Sequence, residues 1–172
     1  MLGSQSVLAH CVHLSAHEKN LLWGSGTHVV HCPSSNLKLA SGIAPIPELI
    51  DLGVNVALGA DAASCNNSLS ALTEMRMAAL IHKPVHGPRS LSARQALKLA
   101  TIGGARALGL EDDSGSVEIG KLGDLVVIDL NRPETCPPTD PASAVVYAAN
   151  RTAVRDVLVG GRFAKRDGQV LF

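Results

Sequence analysis

The stretch VLAHCVHLSAHEKNLLWGSGTHVVH, residues 7–31, reads as strand, helix and strand. Val7-Leu8-Ala9-His10 is apolar but too short for a helix, and helix-start chemistry follows at once. Ser15-Ala16-His17-Glu18 is a capping box, in which the serine and glutamate satisfy each other's orphan amides. The helix is expected to run to about Trp23, with Gly24 and Gly26 as stops. Thr27-His28-Val29-Val30-His31 is the second strand, and Pro33 bars its continuation inside a sheet.

The same theme continues downstream. Ser34–Gly42 reads as a loop, Pro45-Ile46-Pro47 opens a helix that ends at Gly53, and Val54–Gly59 is a third strand. A helix from about Ser68 to Ile81 brings Leu69, Leu72, Met75, Ala79 and Leu80 near one face. Ser92-Ala93-Arg94-Gln95 is a second capping box, and Gly109 ends the helix it starts. Alternating strands and helices of this kind form parallel βα units in an α/β fold. A closed (β/α)8 barrel of the TIM type needs eight units and about 250 residues. Three units with both sheet edges open are therefore expected to be the closing, C-terminal part of such a barrel in a longer protein.

From Ser114 the texture changes. A turn-rich Gly115–Gly123 precedes the strand Asp124–Leu130, and Ala144–Tyr147 and Val154–Val159 read as further strands. Gly160-Gly161 leading into Arg162–Lys165 is a hairpin signal. The expected division is residues 1–113 as the barrel part and 114–172 as strands of a small β-sandwich module.

Composition narrows the function. Apolar residues make up 46% of the 172 and aromatics only 2%, so the core must be aliphatic. Fifteen basic residues balance fifteen acidic ones without a basic run, which disfavours nucleic-acid binding. No apolar stretch approaches the roughly 20 residues of a membrane span, and the start lacks signal-peptide chemistry. Cys11, Cys32, Cys65 and Cys136 are scattered and read as reduced, mostly buried thiols of a cytoplasmic protein. Self-association is left open.

In a βα barrel the active site is built at the C-terminal ends of the strands. His10, His31 and Asp61 occupy those ends. A carboxylate can ligate a metal and accept the proton of bound water, and a neighbouring histidine can hydrogen-bond that water. Taken singly, each has a plainer reading: a packing histidine, or an aspartate closing a turn. One carboxylate and two histidines do not complete a catalytic zinc site, which takes three protein ligands. His13, His17, His28, His82 and His86 make no ligand cluster, and His17, His82 and His86 are expected on the surface.

These residues also carry a resemblance. Ala9–Ser15, His31–Leu39 and Gly59–Asn67 resemble the amidohydrolase superfamily, and within it the methylthioadenosine/S-adenosylhomocysteine deaminases, near guanine deaminases and triazine hydrolases. Glu74–Leu80, Thr101–Gly109, Gly120–Asp129 and the final hairpin extend the match over essentially the whole chain. The resemblance implies that the three strands are barrel strands six, seven and eight. It implies that His10 polarises metal-bound water and that Asp61 is both a metal ligand and a proton acceptor. His31 and Asn36 are implied near the substrate end, although Ser34-Ser35-Asn36 also reads as loop-shaping; turn chemistry explains Asn66 and Asn67 equally well. The implied cofactor is one divalent metal, zinc before iron, with most ligands outside these residues. The implied substrate is a small purine or purine nucleoside.

Two departures stand out. Ala62 replaces the glycine that follows the strand-eight aspartate in the family, a mild change if φ stays negative there. The His-x-His pair, the strand-five histidine and its nearby acid are not in this sequence. A guanine deaminase, a triazine chlorohydrolase and a short non-catalytic remnant are the alternative readings.

Overall fold

The protein is described by a computed structural model that covers residues 1–137 and 140–171. Three short parallel strands, β1 (Val7–Ala9), β2 (His28–His31) and β3 (Val56–Leu58), form one sheet in that order. Val7 pairs with His28, and Val29 pairs with Val56. Helix α1 (Ala16–Ser25) connects the first two strands. Its capping box is formed by Ser15 and Glu18, and Gly26, with φ 70°, closes its end.

The Ser34–Gly42 loop expectation needs correction: α2 (Pro33–Lys38) begins immediately after β2. Pro33 sits at its first position, where a missing amide and a preset φ favour helix. Helix α3 (Ile46–Asp51) leads into β3, and α4 (Ala63–Asn66) and α5 (Ala71–Ile81) follow it. A short α6 (Lys83–His86) precedes α7 (Ala93–Ala100) and α8 (Ile102–Leu108). The single helix expected from Ser92 to Gly109 is thus broken at Thr101, whose backbone leaves helical geometry (φ −124°, ψ −98°). The break lets α8 settle against β3. A Cβ on Gly103 would come within 2.4 Å of the Val56 carbonyl oxygen, so only glycine permits that approach.

The core follows from the strand pleat. Alternate residues of β2 face opposite ways, and Val29 is fully buried with Leu22, Ile46, Leu49 and Val56 beneath the helices. His31 shares the Val29 face, pairs with Leu58 and is itself fully buried. The opposite face carries Val30, Cys32 and Gly59, where a Cβ on Gly59 would meet Val30 Cγ1 at 2.6 Å.

A second sheet is antiparallel, in the order β4 (Leu125–Ile128), β5 (Val154–Val159), β6 (Arg162–Arg166) and β7 (Gln169–Val170). Gly160 and Gly161, with φ 55° and 76°, make the expected hairpin turn. Ala144–Tyr147 is not a strand. Asp140 caps α9 (Pro141–Ser143), and a π-helical turn over Ala144–Ala148 continues it. Val146 is buried against Met75, Ala79, Ala93 and Ala96. Arg76 fixes the turn by donating to the Ala149 carbonyl at 2.7 Å and the Val146 carbonyl at 3.3 Å. A four-residue apolar run does not distinguish strand from buried helix by periodicity, and here the cap and the docking face decide for helix.

Among the described residues no helix is long and apolar enough to cross a membrane. The four cysteines are free thiols, but only Cys32 is fully buried and Cys136 is exposed.

Candidate active site

His10 and Asp61 lie just beyond the ends of β1 and β3, and both have left-handed backbones, φ 67° and 61°. Non-glycine residues adopt that region at a cost of about 1–3 kcal/mol and persist there where surrounding structure holds them. The His10 amide donates to the Val30 carbonyl at 2.9 Å, which anchors the bend to the neighbouring strand. The bends bring His10 Nε2 to 3.8 Å from Asp61 Oδ2. That is too long for a direct hydrogen bond, yet close enough for both groups to address one small molecule between them.

Helix α2 supplies the partners that orient the pair. His10 Nδ1 donates to Asn36 Oδ1 at 2.7 Å. An amide oxygen only accepts, so this bond puts a proton on Nδ1 and turns Nε2 toward Asp61. Ser35 Oγ donates to Asp61 Oδ2 at 2.6 Å, and the Ala62 amide donates to Oδ1 at 2.7 Å. The Ser35 hydroxyl, then the Ala62 amide, hold the Asp61 carboxyl below its ordinary range, with a smaller contribution from His10. Two accepted bonds leave lone pairs on this carboxylate free for a further partner. Ala62 has a negative φ, −70°, so its side chain fits without strain.

The loop after β3 is held from two sides. Asn66 Nδ2 donates to the Ala60 carbonyl at 2.9 Å and to Glu74 Oε1 at 2.8 Å. Lys38 at the end of α2 donates to the Ser64 carbonyl at 2.8 Å and to Asn67 Oδ1. Cys32 stays a neutral thiol: burial first, then the Asp61 and Glu74 carboxyls, push it up to about 11.

His31 and Asn36 were expected beside the substrate. The structure buries both, at 0% and 2% exposure. Asn36 reaches the site through His10. His31 packs against His82 with ring centroids 5.3 Å apart, and neither ring hydrogen-bonds any described residue. Burial, reinforced by the neighbouring imidazole, lowers His31 to about 3; burial and His86 lower His82 to about 4. The surface expectation for His82 is therefore corrected: His82 is fully buried at the C-terminal end of α5, while His17 and His86 are exposed. Ser35 and Glu74 were not singled out as site residues in the sequence. Ser35 follows a strand-to-helix turn too tight to read without knowing that α2 starts at Pro33.

Two clefts of about 300 and 290 Å3 lie elsewhere, one lined by Glu48, His86 and Arg89, the other by Asn55, Lys98 and Arg106. His10 and Asp61 line neither. Among the described residues no three histidine, cysteine, aspartate or glutamate side chains converge to hold a metal ion. These residues alone do not make a catalytic zinc site, which takes three protein ligands.

Comparison with known proteins shows the family to which this sequence and fold are similar. A sequence profile of the amidohydrolase family matches residues 1–164. A 5-methylthioadenosine/S-adenosylhomocysteine deaminase of Moorella thermoacetica is 48% identical over 171 residues, covering 99% of this chain and 40% of the relative. The crystal structure of an adenosine deaminase from Xanthomonas campestris with bound zinc superposes with a TM-score of 0.97 at 40% identity, over 99% of this chain and 39% of that one. An atrazine chlorohydrolase from Arthrobacter aurescens, complexed with zinc, gives 0.93 at 28% identity, over 99% and 38%. The chain thus spans about two-fifths of the length of the relatives it matches.

Proposed function

The chain belongs to the amidohydrolase family, and from that premise we propose that it is the C-terminal part of a metal-dependent deaminase of adenosine-like nucleosides. The reaction is hydrolysis of an exocyclic C–N bond on the purine ring, with release of ammonia. In this reading β1, β2 and β3 are strands six, seven and eight of a (β/α)8 barrel, residues 1–113 belong to that barrel, and 114–172 belong to a small β-sandwich. Part of that second span, residues 138–139 and 172, lies outside the described residues.

The 3.8 Å approach of His10 Nε2 to Asp61 Oδ2 carries the reading. Asp61 is held ionised by Ser35 and Ala62 and keeps lone pairs for one metal ligation and for accepting a proton. His10, held through Nδ1 by Asn36, presents Nε2 to orient the attacking water. Asp61 would be one ligand of a divalent metal, zinc by analogy with the two zinc-bound neighbours, whose chemistry when bound would be to acidify water. The metal's other ligands come from residues outside these 172. Asn36 and His31 act as supports rather than substrate contacts, because neither is exposed. Identity of 48% to a nucleoside deaminase against 28% to a chlorohydrolase favours the nucleoside over the triazine. Four free thiols suit a reducing cytoplasm.

The test is metal content. Residues 1–172 alone should bind zinc weakly and release no ammonia. The longest in-frame protein that adds an upstream His-x-His should bind one zinc tightly. Tight stoichiometric zinc on residues 1–172 alone, or an in-frame stop abutting a functional start signal before Met1, contradicts the proposal.

A further inference from the structure

Glu74 lies in the first turn of α5 and is 1% exposed. Helical side chains point back toward the N-terminus, which directs this one over the first turn of α2 and the loop after β3. Its oxygens are divided between them. Oε2 accepts the Ser34 amide at 3.1 Å, and Oε1 accepts Asn66 Nδ2 at 2.8 Å. Ser34 is the second residue of α2, where an amide has no acceptor within its own helix. The next two residues are Ser35 and Asn36, which hold Asp61 and His10. On the other side, Asn66 passes the tie to the Ala60 carbonyl, directly before Asp61. Its Oδ1 accepts the Ser68 and Leu69 amides at 3.2 and 3.0 Å. Both amide hydrogens and both acceptor sites of Asn66 are thereby used.

We propose that Glu74 is a positioning residue, a two-pronged brace on α5 that sets the separation of His10 and Asp61 by fixing both the first turn of α2 and the loop after β3, from which they are held. This rests on the reading of that pair as reactive. The alternative is a buried carboxyl that simply needs partners. The two differ in consequence. A side chain that only satisfies local donors affects stability when changed, whereas a brace between α2 and the loop after β3 changes the geometry of the pair as well. Glu74→Gln is the sharp change: it keeps the volume but leaves one acceptor oxygen for two donors and turns an N–H toward one of them. Misplacement of reacting groups by about 1 Å costs on the order of 100-fold in rate.

The experiment uses the complete protein containing these residues, loaded with Zn2+ for kinetics on 5′-methylthioadenosine and with Co2+ for visible spectra. In E74Q that remains folded, kcat should fall about tenfold or more while KM stays within about twofold, and the cobalt d–d bands should shift. Wild-type kcat and bands in folded E74Q overturn the brace, as does a lowered melting temperature with both unchanged. If E74Q does not accumulate, Asn66→Ser cuts the same tie from a partly exposed position and should reproduce the kcat and band changes; wild-type values there overturn the proposal. An inactive wild type without cobalt bands refutes the deaminase reading itself, and the brace falls with it.

Discussion

Ser35 donates its hydroxyl to Asp61 Oδ2 over 2.6 Å, so the first turn of α2 governs the carboxylate at the end of β3. Serine-to-alanine substitution at 35 removes the largest influence keeping that carboxyl ionised. Partners of this kind change metal affinity or activity by roughly 10- to 100-fold. Isothermal titration of zinc into complete S35A protein should show weakening of that order, with little change in melting temperature. Unchanged affinity would mean that Ala62 alone suffices.

Asn36 holds His10 by a 2.7 Å bond and is almost fully buried. Asn36→Ala frees the imidazole to change tautomer and to rotate. The expected result is a loss of kcat of roughly 10- to 100-fold with KM nearly unchanged, since Asn36 does not reach solvent. A rise in KM at constant kcat would restore Asn36 to the role of a substrate contact.

Much of the fold was legible because its signals are local. Ser15 with Glu18, and Ser92 with Gln95, mark helix starts by spacing alone, and both capping boxes are formed. The Gly160-Gly161 turn is equally local. Asp61 and His10 were legible as strand-end polar residues. What escaped depends on partners distant in sequence. His82 looks like a surface residue until α5 is packed over His31. Ala144–Tyr147 looks like a strand until Arg76 and the α5–α7 face claim it. For His31 the missing step was the pleat: it shares the buried face of Val29 rather than the face of Val30.

The buried imidazoles give the fold an acid sensitivity. His31 and His82 titrate near 3 and 4 in the folded chain, below the ordinary 6.5, so both are neutral when folded at pH 5–7. The unfolded chain takes up their protons below about 6.5. The stability they confer is complete above that value and is lost as pH falls toward 4 for His82 and toward 3 for His31. Together they should remove about 2 kcal/mol between pH 6 and 5, read from urea unfolding. His82→Leu should halve that contribution without harm at pH 7, because neither ring nitrogen has a hydrogen bond to lose. An unaltered pH slope in H82L refutes the assignment.

Ala62 offers a control. Its φ of −70° suits any L residue, so alanine there only restricts the unfolded chain. Ala62→Gly should lower stability by about 0.4–1 kcal/mol and leave ammonia release within experimental error. A clear gain in rate would show that the alanine side chain obstructs the site.

His10 and Asp61 are proposed above as the reactive pair of a nucleoside deaminase. Ammonia release from 5′-methylthioadenosine, S-adenosylhomocysteine and adenosine by the complete zinc-loaded protein, beside its Asp61→Asn variant, tests this assignment most directly. Ammonia should appear in equal amount to the deaminated nucleoside, with kcat/KM lowered by about 100-fold or more in D61N, the scale of a lost proton acceptor. Chloride release from a chlorotriazine with no ammonia from any nucleoside, or a D61N protein as active as wild type, would contradict it.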